Sequence, residues 1–378
     1  MVAPSAVQLT AHLYERREVE LSFQSAALAG DKAEAMYWLL ELCESGWVDG
    51  AWDQLWLAYY DFYSAHSPHF EGELMDLSDM KRKNGSRSRY PLLHGASALI
   101  GRRRSAGAWL LRQAAIGAST HPPSSTSSDP STPDPDPETT VDQLLAGPVE
   151  AARALAAAGL GHPAATWQHA TPIYEALVAR AGGEPGGARG AWGRAGPAPL
   201  PILCALLLHL GAFWADIEET SLDLSPPAAD RNMVAAAAAL VRRSRVTPAR
   251  DRLLLWRQHK IRPNIGCFGL PQSQLPPGGL GDFLRHHWLR GTAGCQPWDR
   301  VIARCKGERS PDGTVTWPDE EAENEFHYRY GPDVDELPGS AVAIGTPPLP
   351  RCTKLRWLTK LWPVKPVPDL WKALMQEG

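Results

Sequence analysis

The sequence predicts a mainly α-helical protein: a helical N-terminal domain of αα-hairpins, a disordered linker, and a helical, loop-rich C-terminal region. Three observations carry this. Apolar residues ahead of residue 118 recur at helical spacing, Ala- and Leu-rich stretches of strong helix propensity return after residue 142, and nothing alternates with period two for long enough to make a sheet. Between them lies STHPPSSTSSDPSTPDPDPETTVD, residues 119–142, whose composition cannot bury enough apolar surface to offset the entropy of ordering it. A chain of 378 residues has room for two domains, because single cores stop growing near ~250–300 residues. The expected division is a helical domain over 1–118, the linker over 119–142, and a second region over 143–378 with a Gly/Pro break near 182–200.

The elements follow in order. The stretch EAMYWLLELCESGWVDGAWDQLWLAYYDFY, residues 34–63, holds four Trp, four Tyr and one Phe, against 15, 9 and 7 in the whole chain. Asp31 with Glu34 makes a capping-box-like start, Met36, Leu39, Leu40 and Cys43 recur at helical spacing, and Ser45-Gly46 closes the helix. A second helix then places Trp52, Leu55, Trp56, Tyr59 and Tyr63 on one face. The stretch therefore reads as an αα-hairpin whose apolar stripes meet, with Tyr37, Trp38, Trp52, Trp56, Tyr59 and Tyr60 as core or interface rather than a ligand box. Short helices are predicted over 91–101 and 105–117, and longer ones over 143–158, 201–217 and 228–243. The apolar run Leu200 to Ala215 is shorter than the roughly 20 residues a bilayer needs and carries Pro201 and His209, so it reads as a buried helix. Residues 262–350 are dense in Pro and Gly and are expected to wrap the core as loops and short helices. The last amphipathic stretch, LRWLTKLWPVKPVPDLWKALM, is broken by three prolines.

A net charge of −4 gives no global pull toward nucleic acid or an anionic membrane, so an electrostatic partner must be read from local patches. One such patch is MKRKNGSRSRYPLLHGASALIGRRRSAGAWLLR, with Lys81, Arg82, Lys83, Arg87, Arg89, Arg102, Arg103, Arg104 and Arg112 and no acidic residue. That density of one sign suits phosphate contacts, and Arg also stacks on bases. A second basic stretch holds Arg242, Arg243, Arg245, Arg250, Arg252, Arg257, Lys260 and Arg262 against Asp251, with Trp256 and His259 interleaved. The opposing reading is internal neutralisation: the run from Glu308 to Glu336 carries ten acids and could pair with either patch. The expected partners are accordingly DNA or another polyanion, or proteins met through the helical hairpin, with no membrane partner.

Chemistry-bearing residues are weaker signals. The six cysteines (Cys43, Cys204, Cys267, Cys295, Cys305, Cys352) form no C-x₂-C pair and read as reduced thiols of an intracellular protein, in keeping with an N-terminus that lacks a basic and then apolar secretory pattern. His286-His287, with Cys295 and Cys305 downstream, matches no known zinc spacing, and neighbouring His point to different helix faces. His66 and His69 flank Ser67-Pro68 and read as helix-end residues. Cys267 in IGCFG, near His259, reads as a buried thiol in a tight turn; the alternative is a nucleophile. Glu34 and Glu41 border the aromatic stretch. Asp61 in YYDFY reads as outward-facing or bonded to a Trp or Tyr donor, against the alternative of a buried carboxylate for acid–base work. No G-x-S-x-G, H-E-x-x-H or kinase set is present. Neither metal nor cofactor is expected.

The order D-K-A-E-A-M-Y-W-L-L-E-L, then S-G-W, then L-W-L-A-Y-Y-D-F-Y, resembles a set of uncharacterised proteins of large nucleocytoplasmic DNA viruses, and L-L-R-Q at Leu110 to Gln113 resembles a later element of that set. The likeness covers residues 17–116. The same stretch is similar, more loosely, to the helical collar domain that follows the ATPase module of clamp loaders, where a D-x-x-A-A-x-Y-W helix helps hold subunits together. No G-x₄-G-K-[ST] occurs, so the resemblance implies a scaffold or oligomerisation module without the motor. The functional expectation is a non-enzymatic binding or assembly protein of a large DNA virus, in host cytoplasm or nucleus or in the virion, with DNA replication accessory work as its specific form. The competing expectations are a virion structural component and an enzyme with a site around Cys267 and His286.

Overall fold

The computed structural model describes residues 7–67, 69–84, 89–120, 137–146, 148–161, 165, 167–180, 199–209, 261, 283–284 and 286–331. Among them are thirteen α-helices, a single π-helical turn and one two-stranded sheet, so the protein is mainly α. In chain order these are α1 (Arg16–Ala29), α2 (Lys32–Glu44), α3 (Val48–Ala58), the π turn (Tyr59–Tyr63), α4 (Phe70–Asn84), α5 (Tyr90–Leu99), α6 (Gly107–Thr120), α7 (Pro137–Ala146), α8 (Pro148–Ala157), α9 (Trp167–Arg180), α10 (Pro199–His209), α11 (Trp288–Gly291), α12 (Gln296–Arg304), β1 (Glu308–Arg309), β2 (Val315–Thr316) and α13 (Glu320–Tyr330). The described residues fall into two compact units. One is drawn from 7–54, 80–100 and the stretch ending at Gly331; the other comes from 55–79 and 101–209.

In the first unit α1 and α2 form the hairpin. The Glu15 side chain caps α1 by accepting from the Glu18 N–H at 2.8 Å. Gly30, at φ +76°, ends it in the left-handed conformation that glycine adopts without penalty, and the Asp31 N–H returns to the Ala26 carbonyl at 3.0 Å. Asp31 then caps α2 by accepting from the Glu34 N–H at 3.0 Å, as the sequence predicts. Trp38 sits against Tyr14 and Tyr37 in edge-to-face contacts, with ring centroids 5.2 and 5.0 Å away, and its Nε1–H donates to Glu34.

The unit's other core joins segments that are far apart in sequence. Val7, Leu9, Ala11 and Leu13 pack with Leu284, Trp288, Trp298, Phe326 and Tyr330. Backbone bonds fasten the same join: the Leu9 N–H donates to Gly291 O at 2.7 Å and the Gln296 N–H to Ser45 O at 3.1 Å. Strands β1 and β2 pair antiparallel, Glu308 opposite Thr316 and Arg309 opposite Val315. They are too short for any periodicity to have announced them.

The second unit is built around the π turn. There the Ser64 N–H reaches back to Tyr59 O at 2.8 Å, and all five side chains of YYDFY are buried. The turn packs against α6 and α10; α6 lies on α8, and α7 on α8 and α9. Helix α10, from the apolar run, is buried along 199–205, and no helix among the described residues is long and apolar enough to cross a membrane.

The structure departs from the sequence reading in two places. The expected partner of the 34–45 helix was the 52–63 helix; instead α2 packs on α1 and α5, while the π turn packs on α6 and α10. The widened turn supplies the reason, since it buries Tyr60 and Phe62 along with Tyr59 and Tyr63 and leaves no single apolar stripe for α2. The single helix expected over 143–158 is two, α7 and α8, starting at Pro137 and Pro148, where proline suits the first helical position. Residues 121–136 of the Ser/Pro/Asp segment, the helix expected over 228–243 and the C-terminal amphipathic stretch lie outside the described residues.

Candidate functional site

The basic segment is where sequence-predicted function meets the fold, and its residues have different fates. Lys81, on the last turns of α4, pairs with Asp49, whose side chain is 91% exposed. Arg89 pairs with Glu44 at 2.6 Å. Arg102 lies 4.0 Å over the Phe70 ring and reaches Glu73 at 3.2 Å. Arg104 hydrogen-bonds Tyr63, and Arg103 is half-buried. Arg112 is a core residue, holding Asp61 through two bonds of 2.9 and 2.5 Å.

This corrects two expectations. Arg112 belongs to no surface, and Asp61 faces neither solvent nor a Trp or Tyr donor but a guanidinium 51 positions along the chain. Burial pushes the Asp61 carboxyl up and Arg112 pulls it back, leaving it above its ordinary value. The basic stretch is also divided, with 81–89 in the first unit and 102–112 in the second. Among the described residues Glu44, Asp49, Asp61 and Glu73 pair with this stretch, and within the 308–336 run Glu325 pairs with Arg329. Arg82 and Lys83 follow Lys81 in the last turn of α4. Arg87, Arg242, Arg243 and Arg245 lie outside the described residues, as do Cys267 and His259.

The six aromatic residues singled out by spacing are buried. Trp56 stacks on Tyr60 at 5.9 Å and 13°, and Tyr59 meets Tyr60 edge-on at 4.8 Å. Burial raises the phenols of Tyr59 and Tyr60 above their ordinary range, which suits packing and not proton transfer.

Two further polar features are internal. His12 Nδ1 lies 2.6 Å from Glu41 Oε2, and the His12 backbone N–H donates to Glu41 Oε1 at 3.0 Å. Burial raises the Glu41 carboxyl, but His12 and its donors outweigh that and hold it below its ordinary value. Arg309 ties the sheet to its surroundings, donating to Leu289 O, Gly313 O, Thr292 Oγ1 and Asp299 Oδ1, all at 2.9–3.0 Å. Neither pairing is legible locally, although Glu41 stands out beside the aromatic stretch, because each joins segments that only the fold brings together.

The described cysteines are free thiols. Burial pushes Cys43 up to about 12 and raises Cys204, Cys295 and Cys305 as well, so none is a ready thiolate. His286 and His287 are exposed beside α11, and no cluster of three or more His, Cys, Asp or Glu suited to a metal occurs among the described residues.

One surface feature was not anticipated. Met80 and Tyr90 bracket the run KRKNGSRSR and are exposed by 41% and 43%. The Tyr90 ring lies on His94 with centroids 5.6 Å apart and planes 27° apart. Helix α5 starts at Tyr90 with Pro91 in its first turn, and Arg89 at the N-cap makes no side-chain capping bond.

No protein-family model, curated protein or solved structure significantly matches this chain.

Proposed function

We propose that this chain is a non-enzymatic binding and assembly protein that engages nucleic acid, or an equivalent polyanion, through the basic segment around residues 81–89. The observation that supports this reading most is the contrast inside the basic stretch. Arg112 is spent on the core, Arg102, 21% exposed, is folded against Phe70 and Glu73, and Lys81, 16% exposed, against Asp49, whereas Arg89 keeps 37% of its side chain exposed next to the exposed Tyr90. The Lys81 and Arg89 ion pairs each keep a solvent-facing member, Asp49 at 91% and Arg89 at 37%, so phosphate oxygens can compete with the carboxylates for the cations. Two of the buried acids, Glu41 and Asp61, are held by a histidine and an arginine respectively, an arrangement that serves architecture. In the more specific version, the protein is an accessory factor in the DNA replication of a large DNA virus, in keeping with the resemblance of residues 17–116.

The test is fluorescence anisotropy of labelled DNA against the purified chain at two salt concentrations. Binding that weakens steeply with salt, and falls when Lys81, Arg82 and Lys83 are replaced by Glu, is the expected outcome. Binding that ignores these substitutions in a variant of unchanged melting temperature would refute the assignment.

A further inference from the structure

Resting on that reading, we infer that the nucleic acid recognised is single-stranded, and that Tyr90 is a platform on which an unpaired base stacks. Tyr90 is one of three large apolar side chains that are exposed among the described residues, with Met80 and Tyr328. It follows directly on KRKNGSRSR, which carries Lys81, Arg82, Lys83, Arg87 and Arg89 and no acid. An exposed ring in cationic sequence is the combination that single-strand binding uses: charge tracks the backbone while the ring takes a base face that no duplex offers, since paired bases already cover one another.

The ring is also held ready. His94, one turn on in α5, covers one side of it at 5.6 Å, and Tyr90 and His94 are four residues apart on a helix whose first turn contains Pro91. A pre-ordered ring loses little freedom when a base lands on its outer side. Two carboxylates of this unit already pair with cations of the run. Glu44 is taken up by Arg89, and Asp49 lies out in solvent, where salt weakens its hold on Lys81. The contact is sequence-tolerant, since every base has a π face.

The experiment uses the full chain, an oligo-dT strand and a duplex of equal length, each labelled, with Tyr90→Ala and Tyr90→Trp beside the parent. Tyr90 is exposed, so both variants are expected to keep the parent melting temperature. The expected result is tighter binding of the single strand, a roughly 5- to 150-fold loss of it in Tyr90→Ala, retention in Tyr90→Trp, and duplex binding changed by less than about twofold. Equal binding of both DNAs with no effect of Tyr90→Ala overturns the stacking role and leaves the proposed function standing. Absence of binding to either DNA at low salt overturns both.

Discussion

Arg112 and Asp61 show how a single side chain can be misread. In GAWLLRQAA the arginine is the polar interruption of an apolar helix, and its neighbours Arg102, Arg103 and Arg104 make it look like the end of a cationic surface. Its fate is decided by a carboxylate on the π turn, which no local pattern announces. Both side chains are almost fully buried, so the pair is desolvated and neither charge has water to fall back on. Replacing Arg112 by Ala should therefore cost about 3–5 kcal/mol in denaturant unfolding, because Asp61 is left buried without its partner. Replacing both, as Asp61→Asn with Arg112→Met, should recover a large part of that loss. If Arg112→Ala alone melts with the parent, the pair is not buried as described. The carboxylate of Glu41 is the parallel case in the first unit, with His12 in the place of the arginine.

At the scale of elements, legibility follows range. The caps of α2 are local chemistry, so Asp31 and the Ser45-Gly46 stop could be read directly from sequence, as could α5, α6 and the buried apolar helix α10. Helix α1 could not. It carries Glu18, Glu20, Ser22, Gln24 and Ser25 in buried positions, so its sequence lacks an apolar stripe. Two of those polar groups are held by bonds: Glu20 takes Arg16 and Arg17, and the Gln24 amide N–H donates to Gln54 O at 3.1 Å. The π turn was equally hidden, since widening a helix by one residue has no compositional signature. Two glycines test this picture of the helices. Gly30→Ala should lower stability by about 1–2 kcal/mol, because an L side chain is strained at φ +76°. Gly72→Ala, in the first turn of α4 with nothing within 4 Å of the added methyl, should raise it by about 0.4–1 kcal/mol. Thermal melts of the two variants should move in opposite directions, and a shift in the same direction would contradict the assigned backbone.

At the scale of the molecule, composition points to a division at the Ser/Pro/Asp segment, while the core of the first unit is shared between residues 7–13 and 284–330. Sequence separation is the reason that core could not be read: Leu9 and Trp298 give no joint signal until the chain has folded back on itself. The consequence concerns a fragment of residues 1–118, the piece that composition alone would choose to express. It would keep α1, α2 and α5 but leave Leu9 and Leu13 without Trp288, Trp298 and Phe326, and Ser45 O without the Gln296 N–H. Each fully buried aliphatic side chain contributes about 1.5–3 kcal/mol, and a domain's whole stability is about 5–15 kcal/mol, so a few such losses consume most of it. The fragment should therefore bind a hydrophobic dye and melt without a cooperative transition, while the full chain with Trp298→Ala should lose about 3–5 kcal/mol. A cooperative melt of the fragment at the temperature of the full chain would show instead that residues 284–330 contribute nothing to the stability of the N-terminal helices.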